Sequence, residues 1–431
     1  MPKSWRLSSA QIIIAGFLAV ILMGTGLLML PISSQERVVT PFLDALFTAT
    51  SAVCVTGLVV VDTGTYWSIF GQLIIILLIQ IGGLGVVTVG VFFALVSKKR
   101  ITLFARGTMQ DALAAQKVGG IVRLARFILT ATFIIELIGM VLLMPVFVKD
   151  YGLKGAFMAF FHSISAFCNA GFDLFGGYGS LISYQDNPLV LGTIMLLIIV
   201  GGLGFITWHD IKTHGLRLRH YRVQSKMILT ATAFLLVIPT AYFYAYDLPG
   251  NFLGSLFMTV TPRTAGFSAM DLSLLSEAGL FVTMALMLIG GAPGSTAGGM
   301  KTTTIVTLFG NAHSTFFRKI QVQIFGRAID DVALQQAATI FLLYIVLFFT
   351  GGLIISISDQ LPMSTSLFES ASAIGTVGLS LGATPSLGLV SRLVLIGLMY
   401  FGRVGPLTLI YATLPHSNAK GRVPEEKITI G

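Results

Sequence analysis

The feature that most constrains this chain is one segment pattern that occurs four times. Each copy runs from an apolar stretch through small and polar residues to a glycine and one further apolar residue. The copies are LFTATSAVCVTGL (46–58), FFHSISAFCNAGF (160–172), LFMTVTPRTAGF (256–267) and LFESASAIGTVGL (367–379). Three copies carry a Ser-Ala pair at the same distance from the glycine, and the third copy is one residue shorter. Such repetition predicts four equivalent units, and four units around one axis form a pore.

The composition indicates that these units lie in lipid. The chain is 55% hydrophobic and 10% charged, whereas a soluble domain carries about 25% charged residues. The uncharged run 10–30 is long enough to cross a bilayer, and no cleavage site of a signal peptide follows it. In this setting Cys54 and Cys168, each three residues before a repeat glycine, are expected to be buried thiols rather than a disulfide.

The net charge of +9 invites a nucleic-acid interpretation, but its distribution argues for a topology signal instead. Of the 27 Lys and Arg residues, 20 lie in the five hydrophilic segments 1–9, 97–126, 209–226, 311–333 and 415–431. Eleven of the 18 acidic residues lie in the alternate connections or the repeated segments. Basic connections face the cytoplasm by the positive-inside rule, so both termini are predicted to be cytoplasmic and no nucleic-acid partner is expected.

Each repeat is predicted to consist of a first span, a short re-entrant pore segment and a second span. The pore segments offer about ten helical residues each, too few to cross, since a span needs about 20. The predicted fold is therefore all-α, with eight transmembrane helices in four repeats around a pseudo-fourfold pore. The repeats are 1–110, 111–215, 216–320 and 321–431. The first spans are 10–31, 127–148, 227–246 and 334–357, and the second spans are 69–96, 189–208, 278–308 and 392–414.

The chemistry at the end of each pore segment suits a dehydrated cation. Backbone carbonyl rings replace the hydration shell while still releasing the ion, and glycine permits the backbone conformations that point carbonyls inward. The short helices before these residues direct the negative ends of their dipoles at the same point. The predicted filter residues, small or polar and uncharged, are Val55, Thr56, Gly57, Asn169, Ala170, Gly171, Thr264, Ala265, Gly266, Thr376, Val377 and Gly378.

Acidic residues near the outer mouth would concentrate cations there. Asp173 and Asp271 follow their repeat glycines by two and five residues, and Glu369 lies early in the fourth pore segment. Asp44 precedes the first pore segment. An electrostatic role and a plain loop or helix-end role remain equally open for these carboxylates at this point.

The second spans carry glycines at similar distances from the filter, and the third is broken most strongly. Pro293 and five glycines cannot remain helical at low cost, so this stretch predicts a flexible intramembrane loop. Its residues are Gly290, Gly291, Pro293, Gly294, Ser295, Thr296, Gly298 and Gly299. Arg403, in the middle of the last span, is expected to face water or a partner, because a charge there costs at least about 2.5 kcal/mol. Glu136, in a first span, is either an ion or proton site or a partner of a neighbouring helix.

At these residues the chain resembles the Trk/Ktr/HKT superfamily of potassium transporters. TVGL (376–379), VTGL (55–58), NAGFD (169–173) and TPRTAGFS (261–268) carry the resemblance, and they look most like the membrane subunits of bacterial Ktr potassium uptake systems. The resemblance implies potassium uptake, with the ion bound at the four filter glycines. It also implies that the third-repeat loop gates the pore and that Arg403, below the filter, repels cations.

The resemblance implies partners as well. Ktr membrane subunits form homodimers in the cytoplasmic membrane and bind a cytosolic RCK-type ring of nucleotide-binding regulatory subunits. ATP or ADP would then bind to that ring, and no cofactor is expected in this chain. Some members depend on sodium, which makes sodium a candidate second ion.

Two alternatives are a different kind of transporter and an enzyme. An alternating-access carrier usually has two broken helices in inverted halves, whereas this chain has four like-oriented repeats. An intramembrane hydrolase would use Ser163 or Ser295 with His162, but no second catalytic group occurs at a recognisable spacing. The sequence therefore favours a transporter over an enzyme.

Overall fold

The structure is a computed structural model, and it describes residues 8–90, 103–112 and 120–413. Much of the predicted cytoplasmic charge, including most of the segment 1–9, parts of the segment 97–126 and all of 415–431, lies outside these residues. The described part contains four successive units with the same order of helices. We call the three main helices of each unit the outer helix, the pore helix and the inner helix.

The four outer helices are long and apolar, as the predicted first spans are. They are Ser9–Leu28, Ile121–Tyr151, Val223–Ala245 and Asp331–Asp359. Each is long and apolar enough to cross a bilayer, yet only 28–33% of each apolar stretch is buried within the protein. The remaining apolar surface is exposed, which is the arrangement expected of helices that face lipid.

The four pore helices are short and buried. They are Phe42–Cys54, Leu153–Phe167, Phe252–Val260 and Met363–Ile374. Each ends between one and four residues before the first predicted filter residue of its own repeat. Phe47, Phe161, Phe257 and Phe368 are fully buried on these helices, so the aromatic position of the repeated pattern packs the core around the filter.

The inner helices end earlier than predicted, and three of the four begin at a side-chain cap. They are Ile69–Leu84, Pro188–Gly202, Glu277–Leu288 and Leu389–Val404. Ser68, Asn187 and Ser276 cap the first three by accepting backbone N–H groups of the first turn. The predicted second spans are therefore continuous helices only in their first parts; the sequence predicts the break in the third span, but not that the other three helices also end early.

A glycine with positive φ interrupts three of these spans at equivalent places: Gly85 (φ 83°), Gly204 (φ 87°) and Gly405 (φ 90°). A new helix starts after each break, and in the second repeat Phe205–His214 turns by 95° from Pro188–Gly202. In the third repeat a 13-residue loop, 289–301, separates Glu277–Leu288 from Thr302–Phe316. Within the described residues, four helices qualify as spans by length and composition, or five if the bent pair is one span.

Two further elements lie in the connections between the units. A two-stranded antiparallel hairpin, Gln323–Ile324 with Arg327–Ala328, joins the third unit to the fourth. Leu103–Ala112 lies between the first and second units. Cys54 and Cys168 are buried free thiols, as predicted.

Candidate functional site: a ring of four glycines above a loop

The four repeat glycines form a closed ring. A Cβ atom built on Gly57 would lie 2.4 Å from the carbonyl oxygen of Ala170, which precedes Gly171. The same relation holds from Gly171 to Ala265 (2.7 Å), from Gly266 to Val377 (2.3 Å) and from Gly378 back to Thr56 (2.1 Å). A methyl group at any of the four positions would therefore collide with the backbone of the next repeat, and only glycine fits the ring.

The backbone conformation also repeats in all four segments. The glycines have φ of 94°, 70°, 76° and 98°, in the region that L side chains rarely adopt. Two residues earlier, Val55, Asn169, Thr264 and Thr376 also have positive φ, although none of them is glycine. Such strained positions cluster at ligand sites and persist only where the surroundings enforce them.

One hydroxyl residue per repeat enforces this conformation. Ser51 accepts the N–H of Thr56 on its carbonyl (2.8 Å) and the N–H of Gly57 on its hydroxyl (3.0 Å), and Ser372 repeats both contacts with Val377 and Gly378. Ser165 accepts the N–H of Ala170 and donates its hydroxyl to Phe172. In the shorter third copy Thr261 takes this role, from one residue nearer to the glycine. We call these four residues the filter braces.

The oxygen atoms of the ring have unused hydrogen-bonding capacity. The buried hydroxyl oxygens of Thr56 and Thr376 have no hydrogen-bond partner among the described residues. A buried hydroxyl without a partner costs about 1–3 kcal/mol, so such groups usually face a ligand or water. The side-chain amide of Asn169 lies 3.2 Å from the hydroxyl of Thr264, which joins two neighbouring segments.

A cavity of about 420 Å³ opens on one side of the ring. All four glycines line it, together with Asp173 and Asp271. Hydrogen bonds from the hydroxyl and the N–H of Ser273 hold the pKa of Asp271 below its usual value, so this exposed carboxyl is charged at neutral pH. Asp44 is paired with Arg392 at 2.6 Å.

Glu369 does not reach the cavity. Its side chain is fully buried, and its carboxylate accepts from the hydroxyls of Ser380 and Thr384 and from the N–H of Leu381. The sequence places Glu369 correctly in the pore helix, but the loop that covers it is visible only in the folded chain.

The loop 289–301 lies against the opposite side of the ring. A Cβ atom on Gly298 would lie 1.9 Å from the hydroxyl oxygen of Thr376, and the hydroxyl of Thr296 donates to the carbonyl of Phe167 at 3.0 Å. The loop is also bonded to the break in the second inner helix, where Ala292 donates to Gly202 at 3.0 Å.

The predicted loop residues are thus brought together. Gly290 and Gly299 pack against each other, and the hydroxyl of Ser295 donates to the carbonyl of Ala292 within the loop. Pro293 and Gly294 contact the break after the second inner helix, where the N–H of Phe205 donates to the carbonyl of Gly294 at 2.7 Å. Gly291 accepts from Thr302, which closes the loop at its end.

Arg403 ties three repeats together at this loop. Its guanidinium donates to the carbonyl of Thr296 in the loop, at 2.5 Å, and to the carbonyls of Gly82 and Gly83 in the first inner helix, at 2.5 and 3.1 Å. Neither ion pair found among the described residues involves Arg403, so no carboxylate neutralises its charge there. Sequence reasoning found Arg403 but missed Lys301, whose ammonium donates to the carbonyls of Ala297 and Gly298.

Comparison with known proteins identifies the family of the chain. The family model described as "TrkH: Cation transport protein" matches residues 7–243 and 218–420. The chain belongs to the TrkH family of cation transport proteins. Together with the long apolar helices, membership of this family makes the chain a multi-pass membrane protein.

Relatives within the TrkH family align over almost the whole chain. The "Potassium/sodium uptake protein NtpJ" of Enterococcus hirae is 41% identical over 99% of this chain and 98% of that protein. The "Ktr system potassium uptake protein B" of Bacillus subtilis is 37% identical over 99% of this chain and 97% of that protein. The crystal structure of the potassium transporter TrkH from Vibrio parahaemolyticus superposes with a TM-score of 0.76 at 18% identity, covering 96% of this chain and 87% of that one.

Membership of this family of cation transport proteins argues against the enzyme alternative. The hydroxyls of Ser163 and Ser295 donate to backbone carbonyls, of Glu136 and Ala292 respectively. His162 contacts the carbonyl of Met158 and the N–H of Leu174 instead of either serine. No nucleophile and base are therefore joined among these candidates.

Glu136 has a partner on a neighbouring helix. The side-chain amide of Gln80, on the first inner helix, donates to both carboxylate oxygens at 2.9 and 3.2 Å. Of the two roles that the sequence left open for Glu136, this contact favours the link between helices.

Proposed function

We propose that this TrkH-family chain takes up potassium across the cytoplasmic membrane through a filter of backbone oxygens. The closed ring of four glycines carries the proposal, since it places equivalent backbone segments from four repeats around one point. The printed names of the relatives, a potassium/sodium uptake protein and a Ktr potassium uptake protein, support potassium as the substrate and leave sodium as a candidate second ion.

The filter would work by replacing the water around the ion. Carbonyl oxygens of the filter segments would coordinate a dehydrated cation without holding it as firmly as carboxylates. The unpaired hydroxyls of Thr56 and Thr376 add further oxygen ligands on the inner side. The C-terminal ends of the pore helices contribute partial negative charge, which favours a cation over an anion.

The loop 289–301 would act as the gate. It contacts the filter residues Asn169 and Thr376 of two repeats, and Arg403 holds it to the first and fourth repeats. An ion leaving the filter would meet both the loop backbone and the uncompensated charge of Arg403. Conduction would therefore require the loop to move, which would break the hydrogen bonds to Arg403.

The membrane arrangement proposed here follows the repeats 1–110, 111–215, 216–320 and 321–431. Each outer helix and each interrupted inner helix would cross the bilayer once, which gives eight crossings and two cytoplasmic termini. Asp173 and Asp271 would then face the outside, where they attract cations to the mouth. The breaks at Gly85, Gly204 and Gly405 would lie at membrane depth, buried in protein, where irregular backbone is tolerated.

The partners proposed for this chain are a second copy of itself and a cytosolic RCK-type ring that binds ATP or ADP. Support comes from the named Ktr relatives. The basic segments 209–226 and 311–333, with exposed Phe316, Phe317 and Ile320, offer a surface for such a ring.

Flux from proteoliposomes tests the function. Purified chain should carry potassium in preference to sodium, and Gly57→Ser or Gly378→Ser should reduce that preference, because a Cβ there collides with the next repeat. Gly26→Ser is the matched control, since a Cβ on Gly26 meets nothing within 4 Å. Unaltered discrimination in both filter variants would remove these glycines from the filter and overturn the proposal.

A further inference from the structure

Two of the four filter segments are supported from behind by a buried pore-helix side chain. The position three residues before the filter brace is Thr48, His162, Met258 and Glu369 in the four repeats. His162 and Glu369 are both fully buried. Each accepts a hydrogen bond from the backbone N–H three residues beyond its own filter glycine, from Leu174 and Leu381 respectively. The two side chains differ in chemistry but make the same contact.

The contacts fix the state of His162. Its Nδ1 lies 2.7 Å from the carbonyl oxygen of Met158, which can only accept, so Nδ1 carries the proton. Its Nε2 lies 3.4 Å from the N–H of Leu174, so Nε2 carries the lone pair that accepts. A histidine that is used as an acceptor in this way is the neutral tautomer with the proton on Nδ1.

Glu369 makes more hydrogen bonds to its loop than His162 does. One carboxylate oxygen accepts from the hydroxyl of Ser380 at 2.5 Å and from the N–H of Leu381 at 3.2 Å, and the other accepts from the hydroxyl of Thr384 at 2.6 Å. All three donors belong to the loop that follows Gly378.

The remaining two segments are held differently, by the loop of the second repeat. The hydroxyl of Tyr178 donates to the carbonyl of Val60 beyond the first filter glycine. Ser180 accepts the N–H of Ser268 beyond the third glycine at 3.1 Å, and Leu181 donates to the carbonyl of Ser268 at 2.8 Å. The loop after the second filter segment, which His162 supports, therefore also holds the first and third filter segments in place.

The ring order places the two supports opposite each other. Gly57 contacts the second repeat, Gly171 the third, Gly266 the fourth and Gly378 the first, so the second and fourth repeats face each other across the axis. Among the described residues, the equivalent Thr48 bonds only to the carbonyl of Asp44 on its own helix. Met258 has no group that accepts such a bond strongly.

We propose that His162 and Glu369 are positioning residues that fix the filter opening from two opposite sides and thereby set its ion selectivity. This inference rests on the proposed function, in which the four glycine segments form an ion filter. The loops that His162 and Glu369 hold continue directly from two of these glycines. Neither side chain touches the ion. Each acts through the residues beyond its own glycine, Leu174 for His162 and Leu381 for Glu369.

This assignment makes a different prediction from that of an acid that attracts cations. Glu369→Gln keeps an acceptor for Ser380 and Leu381 but removes the charge, whereas Glu369→Leu removes both. Positioning predicts near-normal selectivity for Glu369→Gln and a loss of about tenfold in potassium/sodium discrimination for Glu369→Leu, a factor that corresponds to about 1.4 kcal/mol. An electrostatic role predicts equal losses of apparent potassium affinity in both variants.

The experiment is potassium and sodium flux in proteoliposomes of the full chain, with folding checked by size-exclusion chromatography in detergent. His162→Gln, which can place an amide oxygen near the N–H of Leu174, should retain more discrimination than His162→Leu. Thr48→Val at the equivalent position of the first repeat should retain wild-type selectivity.

Two outcomes would overturn the proposal: equal defects in Glu369→Gln and Glu369→Leu, or unchanged discrimination in both leucine variants. If a leucine variant does not fold, each glutamine variant is compared with Thr48→Val instead. A loss of selectivity in Glu369→Gln as large as that in Gly378→Ser would then contradict positioning. Failure of the proposed function is separate, because it appears as unaltered selectivity in Gly57→Ser and Gly378→Ser.

Discussion

Replacing Arg403 by alanine should open the conduction pathway. The guanidinium donates to three carbonyls, of Thr296 in the gate loop and of Gly82 and Gly83 in the first inner helix. Only the hydrogen bond to Thr296 restrains the loop directly. The other two hydrogen bonds fix the position of the guanidinium. The substitution therefore removes one restraint on the loop and also the positive charge under the filter.

The structure gives a magnitude for this change. A hydrogen bond from a charged donor contributes about 1.5–3 kcal/mol. Loss of one such bond shifts the balance between closed and open loop by about 10- to 150-fold, since 1.36 kcal/mol is a factor of ten. Potassium flux through Arg403→Ala should rise by up to that factor, until the open loop is no longer the main barrier. Removal of the positive charge below the filter would raise the potassium flux further.

The assay is potassium flux into proteoliposomes that contain equal amounts of wild-type and variant chain. Arg403→Lys serves as the control, because lysine keeps the charge but lacks the planar group that bonds to two repeats at once. If the hydrogen bonds dominate, the lysine variant resembles alanine; if the charge dominates, it resembles the wild type. Flux through Arg403→Ala that is unchanged or lower at equal reconstitution would refute the gate.

Three further predictions follow from single contacts. Gly298→Ala should raise potassium flux in the same assay, because the added methyl group would lie 1.9 Å from the hydroxyl of Thr376 and push the loop from the filter; a closed pore would contradict this. Asp271→Asn should weaken apparent potassium affinity at low ionic strength and much less at high ionic strength, since Asp271 is exposed and charged; a loss that does not depend on salt would exclude a role by attraction. Arg392→Gln should lower the unfolding temperature in detergent by destabilising the chain by about 1–3 kcal/mol, because Asp44 loses its 2.6 Å partner; unchanged melting would show that this pair is not a brace between the first and fourth repeats.

The sequence predicts the repeated parts of this fold well. The outer helices and the pore helices fall where the apolar runs predict them, because their lengths and composition are local properties of the chain. Equivalent positions of the four filter segments also follow from the repeat, and the structure brings those segments together. What the repeat does not show is that the ring closes with each glycine against the backbone of the next repeat.

The interruptions of the inner helices were harder to predict. Glycines in membrane helices mark close packing as well as breaks, and here they do both. Gly82 packs against the carbonyl of Val53, where a Cβ would lie 2.0 Å away, whereas Gly85, three residues later, ends the helix with positive φ. The sequence gives no means of telling these two uses apart.

The partners of isolated charged residues also lie outside what a sequence shows. Arg403 bonds to carbonyls about 100 and about 320 residues away, so its contacts depend on how the repeats close into a ring. Glu369 looks like an acid of the outer mouth because it lies in a pore helix. Only the loop after Gly378, folding back over the helix, buries it.

The central claim is that four glycine segments from one chain surround a dehydrated monovalent cation. Crystals soaked in thallium or rubidium, which substitute for potassium and scatter X-rays anomalously, would test it most directly. We expect an anomalous peak on the axis between Gly57, Gly171, Gly266 and Gly378. An empty ring, with peaks only in the outer cavity or at the protein surface, would contradict the account.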